Sequence, residues 1–534
     1  MTRCACAALA ALAAVLLGAC GGGSSSKVAQ LPALHPDRAG PQSMFTGTGE
    51  LINQPVATMN TLQRLGIQSV HVYISWSAIA PDASSFERPD FDATDPDAYP
   101  ASGWAPYDAI IRGLTSRGIA VSLSLTGPPP YWAEGPGDPA RTTQPEFKPN
   151  VADYEDWVKA VGTRYSGQFT PPGASTPLPR VDFWSTWNEP NIGINLAPET
   201  THAGSAVEVA PMVYRGLVDA AWTALHATGH GHDRILIGEL APQGATTAGQ
   251  PGLFGAMAPL RFLRALYCVD ANGRPLRGTQ ATERGCPATA AGSARFAAHN
   301  PALFDASGFA VHPYSFSSLP PNVRIPNEPD YTELAALPTL EATLDRLQRT
   351  YRPGRRFPIW STEFGYITNP PNDQYTVTPA LAAYYLNWAQ YLSWEDPRMQ
   401  SYDQYLLTDP PTKEPFATGL QTAAGVPKPG FAAFRMPLYL PVSSTAKGHP
   451  LVVWGQVRPA PLARRQTHRP QVVQIQFRPS SGGSFSTVKH VTITNPNGYF
   501  EVLQTFAGSG TVRLRWTYPN GETVLSRNAE ITLR

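Results

Sequence analysis

The chain has 534 residues, of which 42% are hydrophobic and 10% aromatic: enough for a large core, too long for one ordinary domain, and incompatible with disorder throughout. A net charge of +1 gives no reason to expect nucleic acid or an acidic membrane as partner. Charged residues make up only 15%, against a usual ~25%, and 55 prolines are about twice the usual share, which suits an exported protein with long, stiff loops. The 12 tryptophans fit either sugar stacking or core packing, and composition does not separate the two.

Residues 1–20 read as an export signal: Arg3 supplies the positive start, and Ala7–Leu17 is an apolar run too short for a permanent bilayer span. Leu17-Gly18-Ala19-Cys20 resembles a bacterial lipobox, which makes Cys20 the expected lipidation site. The alternative is an ordinary secretory signal with Cys20 incidental. Residues 21–41 are expected to form a flexible tether, beginning with the Gly/Ser run Gly21–Ser26. The expected location is therefore extracellular or at the cell surface, with membrane contact only through the lipid anchor. Cys4 and Cys6 leave with the signal, so Cys268 and Cys286 remain as an even pair in an exported chain and are expected to form a disulfide.

From 42 to 440, short β-branched or apolar runs alternate with amphipathic helical patterns. Strands are predicted at Met44–Thr48, Ser69–Ser75, Ala120–Thr126, Val181–Trp187, Arg234–Leu240, Gly308–Tyr314, Pro358–Glu363 and Tyr402–Leu407. Helices are predicted at Val56–Leu65, Tyr107–Arg117, Tyr154–Tyr165, Val209–Ala227, Leu260–Tyr267, Leu340–Tyr351, Pro379–Trp394 and Gly430–Leu438. Eight strand–helix pairs are the pattern of an α/β (β/α)8 barrel. A doubly wound sheet also alternates, but no glycine fingerprint follows the first strand.

Beyond Leu440 the period changes to two. Val473, Ile475 and Phe477 alternate with polar residues, as do Val512, Leu514, Trp516 and Tyr518, and Asn-Gly turns intervene. Residues 450–534 therefore read as a small antiparallel β-sandwich without helix. It is either a structural appendage or a carbohydrate-binding module; Tyr499, Phe500, Trp516 and Tyr518 fit a core at least as well as a binding face.

Two acidic residues close apolar strands: Glu189 in Trp187-Asn188-Glu189-Pro190-Asn191, and Glu363 in Thr362-Glu363-Phe364-Gly365. By strand count these are the fourth and seventh, which face each other across a barrel mouth. Paired carboxyl groups in that position suit glycosidic-bond cleavage, one protonating the leaving oxygen and the other attacking the anomeric carbon.

These motifs resemble clan A, the large group of retaining (β/α)8 glycoside hydrolases. Within it, the family 39 type (β-xylosidases and exopolysaccharide hydrolases) is most similar and the family 5 cellulase-like type next. The resemblance covers the barrel only. It implies Glu189 as acid/base, Glu363 as nucleophile and Asn188 as partner of the sugar 2-hydroxyl. His312 and Tyr314, two apart in Val311-His312-Pro313-Tyr314, are expected to contact the carboxylates or the sugar. The charge of Glu363 is expected to raise the proton affinity of Glu189.

Two departures from the resemblance stand out. His71 occupies the strand-two place of an arginine beside the nucleophile, and Gln404 or Tyr405 stands where a tryptophan usually follows strand eight. Trp76, Tyr131, Trp132 and Tyr366, just beyond strands two, three and seven, are either sugar platforms or packing residues. Glu239 on strand five is a reserve acid, able to bind a sugar hydroxyl. Long Pro-rich insertions at Pro81–Pro106, Gly127–Pro149 and Ser315–Pro329 shape the cleft.

The expected activity is hydrolysis of β-linked polysaccharide or oligosaccharide by double displacement, with no metal and no organic cofactor. The alternatives are transglycosylation through the same intermediate and a surface glycan-binding protein without turnover.

Overall fold

A computed structural model describes residues 33–137, 146–246, 251–316, 318–411 and 416–534. The export signal, Cys20 and most of the tether lie outside these residues. Eight parallel strands close into a barrel in chain order: β1 (Gln42–Thr46), β2 (Ser69–Ser75), β3 (Ala120–Thr126), β4 (Phe183–Thr186), β5 (Arg234–Leu240), β6 (Gly308–Val311), β7 (Ile359–Ser361) and β8 (Met399–Tyr405). A helix follows each: α1 (Pro55–Leu65), α2 (Ala101–Ser116), α3 (Val151–Arg164), α4 (Ala210–Ala227), α5 (Pro259–Leu266), α6 (Leu337–Tyr351), α7 (Pro379–Glu395) and α8 (Pro429–Arg435). Proline enters the first turn of α1 and of α4 to α8, where its missing N–H costs no hydrogen bond.

Strand alternation sorts the side chains. Val70, Val72 and Ile74 of β2 join the core between strands and helices, so His71 and Tyr73 project into the barrel. Met44, Phe183, Leu236, Ala310 and Trp360 fill the barrel interior as a separate apolar plug. Buried polar residues, among them Thr46, His71, Ser122, Ser185, Glu239 and Asp403, occupy other interior positions.

β4, β6 and β7 stop short of their predicted ends, at Thr186, Val311 and Ser361. Glu189, His312, Tyr314 and Glu363 therefore stand just past the strand ends and not on them. β8 begins three residues earlier than predicted and stops at Tyr405, where Leu406 takes a left-handed φ of 78°.

The C-terminal region forms two sheets. One runs β10 (Ser444–Thr445), β17 (Ala529–Leu533), β15 (Gly510–Thr517), β12 (Gln471–Pro479), β13 (Ser486–Ile493), with β16 (Thr523–Leu525) also on β15. The other runs β14 (Tyr499–Gln504), β11 (Leu451–Gln456), β9 (Leu438–Tyr439). The expectation of a helix-free region is corrected by α9 (Ala460–Thr467), whose Ala460 and Ala463 pack into the sandwich core; the stretch is too short for its period to stand out. Phe500 and Trp516 are core residues. Tyr499 instead joins Tyr391, Trp394, Tyr439 and Trp454 in an aromatic seam against α7. Arg458, also buried, lies 3.9 Å from the Phe434 ring centroid and donates to the Phe434 carbonyl at 2.8 Å. Cys268 and Cys286 are disulfide-bonded. No helix among the described residues is long and apolar enough to cross a membrane.

Candidate active site

Two backbone irregularities aim side chains into the barrel mouth. After β4, Trp187 and Glu189 adopt φ values of 65° and 41°, a left-handed region costly for such residues. The turn is held by Trp187 N–H on the Leu125 carbonyl (3.0 Å), Ser124 Oγ on the Trp187 carbonyl (2.9 Å) and Glu189 N–H on the Glu239 carbonyl (2.9 Å). On β5 the pairing with β6 shifts register between Ile237 and Leu240, where Gly238 (φ 114°) and Glu239 (φ 51°) form a bulge. A Cβ on Gly238 would meet the Ala310 carbonyl oxygen at 2.5 Å, so only glycine fits. The bulge buries the Glu239 side chain completely.

His312 sits at the centre. Its Nδ1 is 2.9 Å from Glu189 Oε1 and 3.6 Å from Glu363 Oε2, and its Nε2 is 2.9 Å from Glu239 Oε2. Carboxylate oxygens of Glu189 and Glu363 lie within 4.8 Å of each other. Glu363 also accepts hydrogen bonds from Tyr73 and, at 2.9 Å, from the Tyr314 hydroxyl. Glu239 accepts from Ser185 and, at 2.7 Å, from Thr362 Oγ1, and faces His71 Nε2 at 3.5 Å. Deeper in the barrel, Asp403 accepts from Thr46 Oγ1 at 3.2 Å.

Each ring nitrogen of His312 thus faces a carboxyl oxygen, Nδ1 toward Glu189 and Nε2 toward Glu239. Burial opposes charge on His312, but Glu363, Glu239 and Glu189 together hold it well above its usual 6.5. Burial likewise works against ionised Glu239, yet His71, His312 and the Ser185 hydrogen bond bring it down to about 2. Burial lowers His71, with Glu239 opposing. Glu363 is pushed up to about 7, chiefly by burial and by Glu189, against His312, Tyr73 and Tyr314. Burial, with the charge of Glu363 adding to it, also drives Asp403 well above the carboxylate range.

Of the residues singled out from the sequence, Glu189, Glu363, His312 and Tyr314 are brought together, with Asn188 beside them. Asn188 Oδ1 is buried with no protein partner. Several expectations need correction. His71 faces Glu239, not Glu363, because Tyr73, two residues on and on the same face of β2, reaches Glu363 first. Trp76 is 0% exposed and stacks on Trp157 inside the core, so it offers no face to a sugar. Trp132 is buried, its indole N–H tied to the Pro81 carbonyl at 3.0 Å, and pins the Pro-rich insertion. Tyr366 is buried between Phe364 and Tyr385. Tyr131 packs on Phe86 at 5.0 Å. Glu239 is too deep to reach a sugar hydroxyl.

Sequence reasoning missed Tyr73, although its two-residue spacing from His71 was a usable signal. It also missed Phe316 and Phe416, which pack around Tyr314 from separate loops and carry no local signature. Of Gln404 and Tyr405, Gln404 is fully buried and donates to backbone carbonyls, whereas Tyr405 lines the mouth. Three clefts open around the barrel mouth. One of about 510 Å³ holds Tyr73, Asn188 and Glu146. A second, of about 400 Å³, lies beside Glu189 with Phe316 and Phe416. The third, of about 570 Å³, runs from Tyr73 and Tyr405 to Glu50 and Asp409.

Glu189, His312 and Glu363 each offer one ligand atom, all within 4.8 Å of one another, close enough together for a cation; a cation there would have to displace the proton that the surrounding carboxyl groups favour on His312.

No protein-family model and no curated protein matches the chain. Solved structures similar to it include a family 39 glycoside hydrolase from Bacteroides cellulosilyticus WH2, 15% identical, covering 89% of this chain and 81% of that one with a TM-score of 0.45. Others are a glucosidase from Croceicoccus marinus (12%, 89% and 95%, 0.48) and a monomeric β-xylosidase from Caulobacter crescentus CB15 (14%, 90% and 96%, 0.46). At these identities and scores the likeness says nothing about activity.

Proposed function

We propose that the protein is a retaining glycoside hydrolase acting on β-linked glycans, with Glu363 as nucleophile and Glu189 as acid/base. The observation that carries this reading is the convergence of the two carboxyl groups at the mouth of a closed barrel, with one oxygen of each within 4.8 Å of the other. Retaining pairs stand about 5–5.5 Å apart, whereas inverting pairs leave room for a water at about 6.5–9.5 Å.

In the first step an ionised Glu363 oxygen attacks the anomeric carbon while the Glu189 carboxyl gives its proton to the departing oxygen. The C–O bond breaks as the glycosyl ester forms. In the second step Glu189 takes a proton from water, which attacks the anomeric carbon and releases Glu363. Tyr73, Tyr314 and the His312 imidazolium stabilise Glu363 as the anion, both before attack and as it leaves. Burial keeps Tyr73 and Tyr314 neutral, and hence donors, across the working pH range. Asn188, which lines one of the clefts and whose buried Oδ1 has no protein partner, is the side chain assigned to a sugar hydroxyl. One cleft beside Glu189 and two beside Tyr73, a donor to Glu363, suit a substrate longer than one sugar. The chain is further proposed to be exported and anchored through Cys20.

The test is trapping with 2-fluoro-2-deoxy glycosides of the gluco, xylo, manno and galacto series, followed by peptide mass mapping. An adduct on the peptide carrying Glu363 is expected. A folded protein that forms no adduct and releases no reducing ends from any glycan tested would refute the reading.

A further inference from the structure

The near-neutral total hides a division of charge. Ten of the 41 Lys and Arg but only three of the 40 Asp and Glu lie in residues 450–534, a net of +7 there against −6 for the rest. All three acids are engaged. Glu522 pairs with Arg435 at 2.8 Å, Glu501 accepts the His35 N–H at 2.6 Å, and Glu530 accepts Thr511 Oγ1 at 2.9 Å.

Part of this excess gathers on one sheet face. Val473, Ile475, Phe477, Val512, Leu514 and Trp516 point into the sandwich core, so Gln474, Gln476, Arg478, Arg513 and Arg515 face outward from β12 and β15. Register sets Gln474 opposite Arg515 on one side and the exposed His490 on the other, with Gln476 opposite Arg513. Arg513 donates to Gln476 at 3.0 Å and Arg515 to Gln474 at 3.3 Å. The guanidinium groups of Arg478 and Arg513 lie 4.8 and 3.8 Å from the same Phe485 ring centroid. Among the described residues, no carboxylate forms a salt bridge with Arg478, Arg513 or Arg515. Burial and the charges of Arg478 and Arg515 together hold Arg513 below its usual range.

Three like charges held side by side repel, and a polyanion would relieve that repulsion. We propose that the outward face of β12 and β15 binds an anionic polysaccharide with carboxylates at regular intervals, as an accessory site separate from the Glu189–Glu363 pair. Guanidinium forks match carboxylates, and the amide of the half-buried Gln474 between them can bond a sugar hydroxyl. Neighbouring strands about 4.8 Å apart repeat on the scale of a single sugar residue. The choice of a glycan over another polyanion rests on the glycosidase reading; the charged face itself does not.

The test uses the full chain with Glu363→Gln, so that turnover cannot consume the ligand, and measures binding of polygalacturonate and of a neutral cellulose ether. Polygalacturonate should bind at low salt and the neutral polymer should not. Arg478→Gln/Arg513→Gln/Arg515→Gln should weaken binding by about tenfold or more, while the corresponding triple Arg→Lys variant, which keeps the charge, should retain most of it. Thermal melts check that both triples are folded. Undiminished binding by the Gln triple, no binding by the parent, or equal binding of phosphatidylglycerol vesicles would overturn the proposal. Failure of the glycosidase reading would show separately, as absence of the trapped adduct in the unsubstituted chain.

Discussion

Glu239→Gln is the most informative single change, because it removes a charge without removing volume. Glu239 is fully buried, accepts from Ser185, Thr362 and His312, and faces His71. Its fall from 4.5 to about 2 corresponds to about 3 kcal/mol of stability, similar to the cost of breaking a buried ion pair. A depressed carboxylate contributes that stability above the unfolded value of 4.5 and loses it as the pH falls toward 2. The variant should therefore melt about 4 °C lower at pH 7, for a unit of barrel size, with the difference shrinking below pH 4.5. Activity should respond as well. Without the Glu239 charge His312 gives up its proton more readily, and a neutral His312 no longer favours ionised Glu363. The acid limb of the kcat/KM profile, expected near the Glu363 value of about 7, should move to higher pH. Thermal melts from pH 3 to 8 and a pH–rate profile on one substrate measure both effects. A variant with unchanged melting temperature at pH 7 and an unchanged acid limb would refute the reasoning.

Three further outcomes are expected. Tyr73→Phe removes a donor to Glu363 and should lower kcat/KM by about 10- to 100-fold while raising the pH of the acid limb; unchanged kinetics would remove Tyr73 from the mechanism. Trp76→Ala should cost about 3–5 kcal/mol in urea unfolding, as loss of a fully buried indole, and a selective rise in KM at unchanged stability would restore it as a sugar platform. Reducing Cys268–Cys286, which closes a loop with a sequence separation of 18, should cost about 3 kcal/mol, read as a lower Tm under reductant; an unchanged Tm would place the loop's stability elsewhere.

Strand and helix periodicity, read locally, was enough to predict the barrel: β2, β3 and β5 fall on their expected bounds, and eight strand–helix pairs close in chain order. Glu189 and Glu363 were legible for the same reason, because acids ending apolar strands on opposite sides of a barrel must share its mouth. What the sequence could not reveal depends on distance across the barrel. Tyr73, not His71, reaches Glu363, and His71 is left to Glu239. Glu239 looked like a spare acid at the rim; a one-residue bulge, invisible to periodicity, turns it inward beneath His312. Trp76 and Trp132 looked like cleft residues because they follow strand ends, yet the loops fold back and bury them. Pattern determines which face of an element a side chain occupies. Which charge it meets there, and so whether it carries a proton, is decided only when distant strands are brought within a few ångströms of each other.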